Sequence, residues 1–567
     1  MTPPPPAVES DAAETHAGAR ALPAGGARTQ ALDAWLARPE TAILGIALAF
    51  AASLAVLLGR LIPDVSSKPL FDDEVVAGLT AIHPFRELLP IVLFDRGGAP
   101  LHFVLAHVAL AADPSVQALR WLSVVFAVAT LPLCYDLGRR LGGRLAGSVA
   151  VLVAATSSML AVYGTVGRMY ALFAFASALA VDLFVRALEK RTVGSAYAAA
   201  AAALLLPAVH PYGIVVVGIE AVVALVVWRG KPLKPALPML VFAAALTPFV
   251  IADLRLGERF GVGASAQDTV APPDFAAKQL GEALAAFAGG AGVLALAFFA
   301  LALVGLFVVF KRLPAFGAFA LLALAAIPIL MVVTKAQQEL VHQLSPRHLM
   351  FGLPVWAALV GVGVARLVRD LPRVAAPLAV LAVALAAFFA PAGITDPRMD
   401  PAETGDALAA PAAWVGERTQ DGTALLFYSP VYLAGLADAE RGIAIPRSGK
   451  PLAMAKRADY PVPSLVGTLR LDRTQVDQAA LMEALGPGSD VGVFPNWLVF
   501  SVRGPYGSPL ALLTASRDAL VAARDSTSAR TLVFRKDLRG GLVTVCNALA
   551  DLGEPCAPTV LKPARTR

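Results

Sequence analysis

Apolar residues gather in long blocks along most of this chain, at about the roughly twenty-residue length a helix needs to cross a bilayer. The blocks fall near 41–62, 115–138, 145–163, 169–187, 194–209, 211–228, 235–252, 291–310, 314–333, 349–367 and 374–392. They predict an α-helical polytopic membrane protein of eleven spans. A shorter apolar piece, 100–112, stops at Asp113-Pro114 and is too short for a span. It reads as a re-entrant or interfacial helix, which membranes tolerate where protein covers the backbone. Residues 1–40 are rich in Pro, Ala and Gly without an apolar period and read as a disordered tail. The 41–62 block is long for a signal peptide and lacks a clear cleavage site, so it reads as a retained span. Past about 393 the pattern changes to short strand-like runs, Ala424–Tyr428, Asp490–Phe494 and Thr531–Phe534, with helical stretches such as Gln475–Leu485 between them. A small α/β domain is expected over 394–567, following a membrane domain over 41–393.

Composition agrees with that division. Of 567 residues 57% are hydrophobic and 16% charged, against roughly a quarter charged in a soluble domain, and the mean hydropathy is +0.68. A net charge of +6 could otherwise suggest nucleic acid. Here the basic residues sit in short loops between apolar blocks, so no nucleic-acid partner is expected. One set of alternate loops holds fourteen Lys and Arg, among them Arg139, Arg140, Arg186, Lys190, Arg191, Lys311 and Arg312. The other set holds Arg168, Arg255, Arg259, Lys278, Lys335 and Arg347. The richer set is expected inside. That puts the first long loop, 63–99, and the whole C-terminal domain outside, in a multi-pass protein of a bacterial inner membrane. The Ala, Pro and Arg content suggests a GC-rich bacterium. Cys134 lies in an apolar block, whereas Cys546 and Cys556 fall in the outer tail, where their spacing admits a disulfide without proving one.

Candidate chemistry concentrates just after the first span, in Leu70-Phe71-Asp72-Asp73-Glu74-Val75-Val76. Two readings stand side by side. The acidic run caps a helix, favoured by its dipole, with Val75, Val76, Leu79 and Ile82 as the apolar face. Alternatively, one carboxylate takes a proton from an acceptor hydroxyl, which is a poor nucleophile without a base. The two are compatible, because a cap fixes where a carboxylate points. A lipid-phosphate leaving group needs cations rather than an acid. Arg168 and Arg347 lie on the same side and offer planar forks suited to phosphate, with Lys335 a weaker candidate; each could equally be a snorkelling interface cation. His210, Tyr212, His102 and His348 are possible cavity residues. No HExxH-type spacing occurs, so neither a catalytic metal nor a cofactor is expected.

These motifs, in order, resemble the GT-C glycosyltransferases, and within them the protein O-mannosyltransferase and aminoarabinose-transferase-like branch. The carriers of the resemblance begin with Asp73-Glu74 and Gly98-Ala-Pro-Leu-His102. They continue with Arg120-Trp-Leu-Ser123, Gly138-Arg-Arg140, Arg168-Met-Tyr-Ala-Leu172, His210-Pro-Tyr212 and Pro346-Arg-His348. The resemblance covers about 40–395. It implies a polyprenyl-phosphate sugar donor, inversion at the anomeric carbon and transfer of a mannose-like sugar to an extracytoplasmic protein, glycan or lipid hydroxyl. It also implies Asp73 as general base with Glu74 or Asp72 in support, donor phosphate held by Arg347 and Arg168, and no metal. The chain departs from the pattern at Ala99-Pro100 and His102, and the triple acid leaves the Asp-Glu register open by one residue. A flippase for a lipid-linked sugar would instead carry ionisable residues near mid-membrane and internal repeats. Only Asp182 and Glu220 stand out in the blocks, and no repeat is evident. A transferase-like scaffold without activity is the other alternative.

Overall fold

The computed structural model describes residues 39–68, 72–81, 84–95, 99–228, 293–336, 346–369 and 553–561, four strands between 424 and 503, and isolated residues elsewhere. Helix α1 (Pro39–Ser67) is followed by α2 (Asp72–Ala81), α3 (Phe85–Asp95), α4 (Pro100–Ala112) and α5 (Val116–Gly142). Then come α6 (Arg144–Thr156), α7 (Ser158–Tyr163), α8 (Tyr170–Lys190), α9 (Val193–Val209) and α10 (Gly213–Val227). The series continues with α11 (Val293–Arg312), α12 (Pro314–Ala336), a 3-10 turn (Pro346–Gly352) and α13 (Leu353–Leu367).

Among the described residues, five stretches are long and apolar enough to cross a membrane: Pro39–Ser67, Gln117–Gly142, Tyr170–Lys190, Val293–Arg312 and Arg347–Leu367. Shorter apolar helices occupy most of the other expected spans. The spans expected at 235–252 and 374–392 lie, but for isolated residues, outside the described ones. The expected single span 145–163 is two helices, because the Ser157 hydroxyl caps the Met159 amide at 3.2 Å and starts α7 afresh. The 63–99 loop is largely helical. Leu88 and Val92 of α3 are four residues apart on one face and fully buried. In α2 the described buried positions include Glu74, Ala77, Gly78 and Ala81, a face of small residues around one acid. The Val75, Val76 and Leu79 side chains, and Ile82, lie outside the described residues.

Local chemistry sets the helix ends. The Ser115 hydroxyl accepts the Ala118 amide to start α5, and Gly143 closes that helix at a φ of +90°, a conformation glycine adopts without a Cβ penalty. The core lies where α5, α6, α8 and α13 meet. A Cβ on Gly305 would strike the Leu359 carbonyl, and one on Gly363 the Leu301 carbonyl, so α11 and α13 approach backbone to backbone. At the ends of α5 and α8 remote from Arg120, Asp182 pairs with Arg140 at 3.3 Å and Arg186 at 2.7 Å. Asp136 joins the same two arginines at 2.8 Å each. This network accounts for the otherwise anomalous acid Asp182. Glu220, fully buried in α10, has no hydrogen-bond partner among the described residues.

The strands β1 (Ala424–Phe427), β2 (Ser464–Arg470), β3 (Asp490–Phe494) and β4 (Trp497–Arg503) form a four-stranded sheet in the order β1-β2-β4-β3. The β1–β2 pair is parallel and the other two pairs are antiparallel. Two of the expected strands are thus found, whereas Thr531–Phe534 and Gln475–Leu485 lie outside the described residues. Cys546 and Cys556 are joined in a disulfide with a Cα separation of 5.3 Å, and Cys134 is free and buried.

Candidate active site

The acidic run opens α2. Its third member, Glu74, is 1% exposed and meets the Arg120 guanidinium side-on, Nε to Oε1 at 2.9 Å and NH2 to Oε2 at 2.7 Å. A two-pronged contact of this kind is the strongest pairing that arginine and carboxylate make. Arg120, itself 1% exposed, uses its remaining NH1 on the carbonyls of Val65 and Lys68 at 3.0 and 2.9 Å. One guanidinium from the first turns of α5 therefore ties the end of α1 to the start of α2. Two charges leave water together at considerable cost, and their pairing and further hydrogen bonds offset it.

Glu74 also fixes a second segment. Its Oε1 accepts the Gly167 amide at 2.7 Å, within the turn Tyr163-Gly-Thr-Val-Gly-Arg-Met-Tyr170 that joins α7 to α8. The same turn is held by Lys68, whose ammonium donates to the Val162 carbonyl and the Thr165 hydroxyl at 3.0 Å each. Ser123 of α5 donates to the Val166 carbonyl. Position 167 must be glycine for this approach, since a Cβ there would lie 2.8 Å from the Leu119 Cβ and 3.3 Å from Glu74 Oε1.

The next residue is Arg168. Its guanidinium lies over the Phe103 ring of α4, 5.8 Å from the centroid, and the His102 ring meets Phe103 edge-on at 5.6 Å. Arg168 Nε and NH1 and His102 Nε2 are buried without hydrogen-bond partners among the described residues. Donors and acceptors cost free energy when buried unsatisfied. Buried donors in this state are free, among the described residues, to serve a polar or anionic partner.

Arg347 opens the 3-10 turn ahead of α13. That turn is fastened to α8 by the Ser177 hydroxyl, which donates to the Phe351 carbonyl at 3.1 Å. The Arg347 guanidinium lies over the Tyr170 ring, 5.7 Å from its centroid, and its Nε donates to His348 Nε2 at 3.4 Å. Around it stands a cluster of rings. His210 stacks on Phe173 at 4.8 Å and on Tyr212 at 5.5 Å, with interplanar angles of 17° and 18°. His348 packs on His210 and Tyr212 at 5.5 and 5.4 Å. Tyr170 links the two arginine sites, lying under Arg347 and two residues beyond Arg168.

Of the residues singled out from sequence, Glu74, Arg168, His102, Arg347, His348, His210 and Tyr212 fall into this connected region. Asp72 and Asp73 supply the first two backbone positions of α2, and Lys335 lies in α12; their side chains are outside the described residues. Arg120 stands out in the sequence only as part of Arg120-Trp-Leu-Ser123, with no role attached to it. The signal was present, since a lone arginine near the start of an apolar span requires a partner, and a carboxylate across the bundle is the natural one. Tyr163, Tyr170 and Phe173 carried no such mark, because rings on an apolar helix read as ordinary core.

No family profile matches the chain, and no curated protein sequence does. Among solved structures it resembles ArnT from Cupriavidus metallidurans bound to undecaprenyl phosphate, at 14% identity over 83% of this chain and 100% of that one, with a TM-score of 0.52. ArnT in the apo state gives 14% identity over 84% and 100%, again at 0.52. The archaeal oligosaccharyltransferase AglB from Archaeoglobus fulgidus, in complex with an inhibitory peptide and a dolichol-phosphate, is similar at 12% identity over 75% of this chain and 69% of its own. Its TM-score is 0.45, so it adds no weight. Identities this low speak to fold alone. The likeness to ArnT shows that this chain shares the fold of that protein.

Proposed function

We propose that this chain is an inverting glycosyltransferase that moves a mannose-like sugar from a polyprenyl-phosphate donor to an acceptor hydroxyl outside the cytoplasm. The observation that carries the reading is the Glu74 carboxylate. It binds Arg120 with both oxygens and also holds the turn that presents Arg168. One buried acid thus locks the helix opened by Asp72 and Asp73 to a guanidinium that has donors to spare. ArnT, which shares the fold, carries undecaprenyl phosphate in its structure.

In this reading Asp73 is the general base. It takes the proton of the acceptor hydroxyl as the oxygen attacks the anomeric carbon. The bond from that carbon to the phosphate oxygen breaks on the opposite face, and its electron pair stays on the phosphate. The lipid phosphate gains one negative charge, and Arg347 and Arg168 hold it. Glu74 is a positioning residue, since both its oxygens are engaged. The Cys546–Cys556 disulfide supports an oxidising compartment for the C-terminal region, on the side where the acceptor is met.

The reading is tested with membranes containing the protein, supplied with a radiolabelled polyprenyl-phosphate mannose and a cell-envelope extract as acceptor. Label passing from the lipid fraction into a protein, glycan or lipid product, only when the protein is present, is the expected result. Label that crosses the membrane while staying on its lipid carrier would replace transfer with flipping. Label that neither moves nor transfers with any of several lipid-phosphate sugars would leave the chain a scaffold.

A further inference from the structure

Arg347 carries the phosphate in the reading above, yet a long arginine side chain has several rotatable bonds and aims its fork only if something holds it. Two histidines are arranged to do so. The nearer, His348, is the next residue in the 3-10 turn, and its Nε2 accepts from Arg347 Nε at 3.4 Å, a long contact that orients more than it binds. For Nε2 to accept, the ring must be neutral with its proton on Nδ1. The ring plane is fixed from outside the turn, because His210 and Tyr212 both pack against it within 5.5 Å.

The second, His210, is fixed in turn. It is 4% exposed, lies between Phe173 and Tyr212 at near-parallel angles, and its Nδ1 accepts the Tyr212 amide at 3.2 Å. The backbone supports this, because His210 N donates to the Leu206 carbonyl at 2.8 Å and so closes α9. A continuous stack thus runs from α8 (Phe173) through the α9–α10 turn (His210, Tyr212) to the 3-10 turn (His348, Arg347). The guanidinium itself lies over the Tyr170 ring, 5.7 Å from its centroid. With a ring beside it and an imidazole acceptor at Nε, the guanidinium has little freedom to turn.

We infer that His348, backed by His210, is a positioning residue for Arg347, and that the stack presets the guanidinium to receive the phosphate of the lipid donor. The inference rests on the proposed role of Arg347 and adds the residues that make that role efficient. A guanidinium ordered in advance loses little freedom on binding, so part of its affinity depends on the wall beside it.

The experiment measures binding of undecaprenyl phosphate to purified full-length protein in detergent micelles, by ligand-dependent thermal shift across a concentration series. Four proteins are compared with wild type: Arg347→Ala, His348→Leu, His348→Gln and the double variant Arg347→Ala/His348→Leu. The expected result is a loss of roughly ten- to a hundredfold in affinity for Arg347→Ala, of order a charge-assisted hydrogen bond. His348→Leu should lose roughly five- to tenfold, and His348→Gln, which keeps an acceptor, should recover most of it. The double variant should bind no more weakly than Arg347→Ala alone, because a residue acting through another adds nothing once that other is gone. Additive losses in the double variant would mean that His348 acts by itself or merely supports the fold, and would overturn the inference. Full affinity in Arg347→Ala would instead overturn the phosphate role of Arg347.

Discussion

Changing Asp73 to asparagine is expected to lower sugar transfer by about two to four orders of magnitude, the usual worth of a positioned general base. Asp72→Asn is expected to retain most activity. Glu74 has both oxygens on Arg120 and one also on the Gly167 amide, so it cannot take a proton without breaking the contact that fixes α2. The base then falls to one of the two residues opening α2, and the Asp-Glu resemblance selects the one adjacent to Glu74. Initial rates with labelled donor, measured beside thermal unfolding of each variant, separate lost chemistry from lost fold. Unfolding temperatures should match wild type, because an amide at the start of a helix still serves as a cap. Wild-type rates in Asp73→Asn with a collapse in Asp72→Asn would move the base by one residue.

The second large effect is on the fold itself. Glu74→Gln and Arg120→Met should each destabilise the protein by about 3–5 kcal/mol, because each leaves its partner as a buried charge without its counter-ion. Arg120→Met has a further consequence, as the carbonyls of Val65 and Lys68 lose their donor. The double variant should be less destabilised than the sum of the singles, since removing both charges abolishes the unpaired state. Thermal unfolding in detergent reads all three. Activity should fall in every case, because the turn bearing Arg168 is held through Glu74. A Glu74→Gln protein with unchanged unfolding temperature and unchanged transfer would show that the clamp has no part in either.

Much of the membrane fold was legible because bilayer length and apolarity are written directly in the blocks. Helices α1, α5, α8 and α11 match the expected spans closely. The short helix α4 was visible for the same reason, since Pro100 and the Asp113-Pro114 pair mark both its ends. What was not legible depends on contacts between distant residues. The break in the third expected span, 145–163, comes from a serine cap at Ser157 that sequence does not distinguish from an ordinary serine in a span. The helix opened by the acidic run was read from its cap, whereas the helical nature of 85–95 was missed, its described buried face being only Leu88 and Val92. In the site, charge made Arg168, Arg347 and the acidic run stand out. The partner of Glu74 lies 46 positions away and became evident only when α2 and α5 were seen side by side. The ring stack around His348 joins residues from three separate segments, and no spacing rule would have collected them.

The proposed transfer requires the carboxylates after the first span to face the compartment outside the cytoplasm. Ser66 is exposed at the end of α1, a few residues ahead of the acidic run, and Gly194 is exposed at the start of α9 with open space where a side chain would go. The natural cysteines give little background, Cys134 being buried and the other two disulfide-bonded. A membrane-impermeant maleimide applied to intact spheroplasts should label Ser66→Cys at once and Gly194→Cys only after lysis. Labelling of Ser66→Cys that waits for lysis, with Gly194→Cys reacting beforehand, would place the acidic run in the cytoplasm and contradict the account.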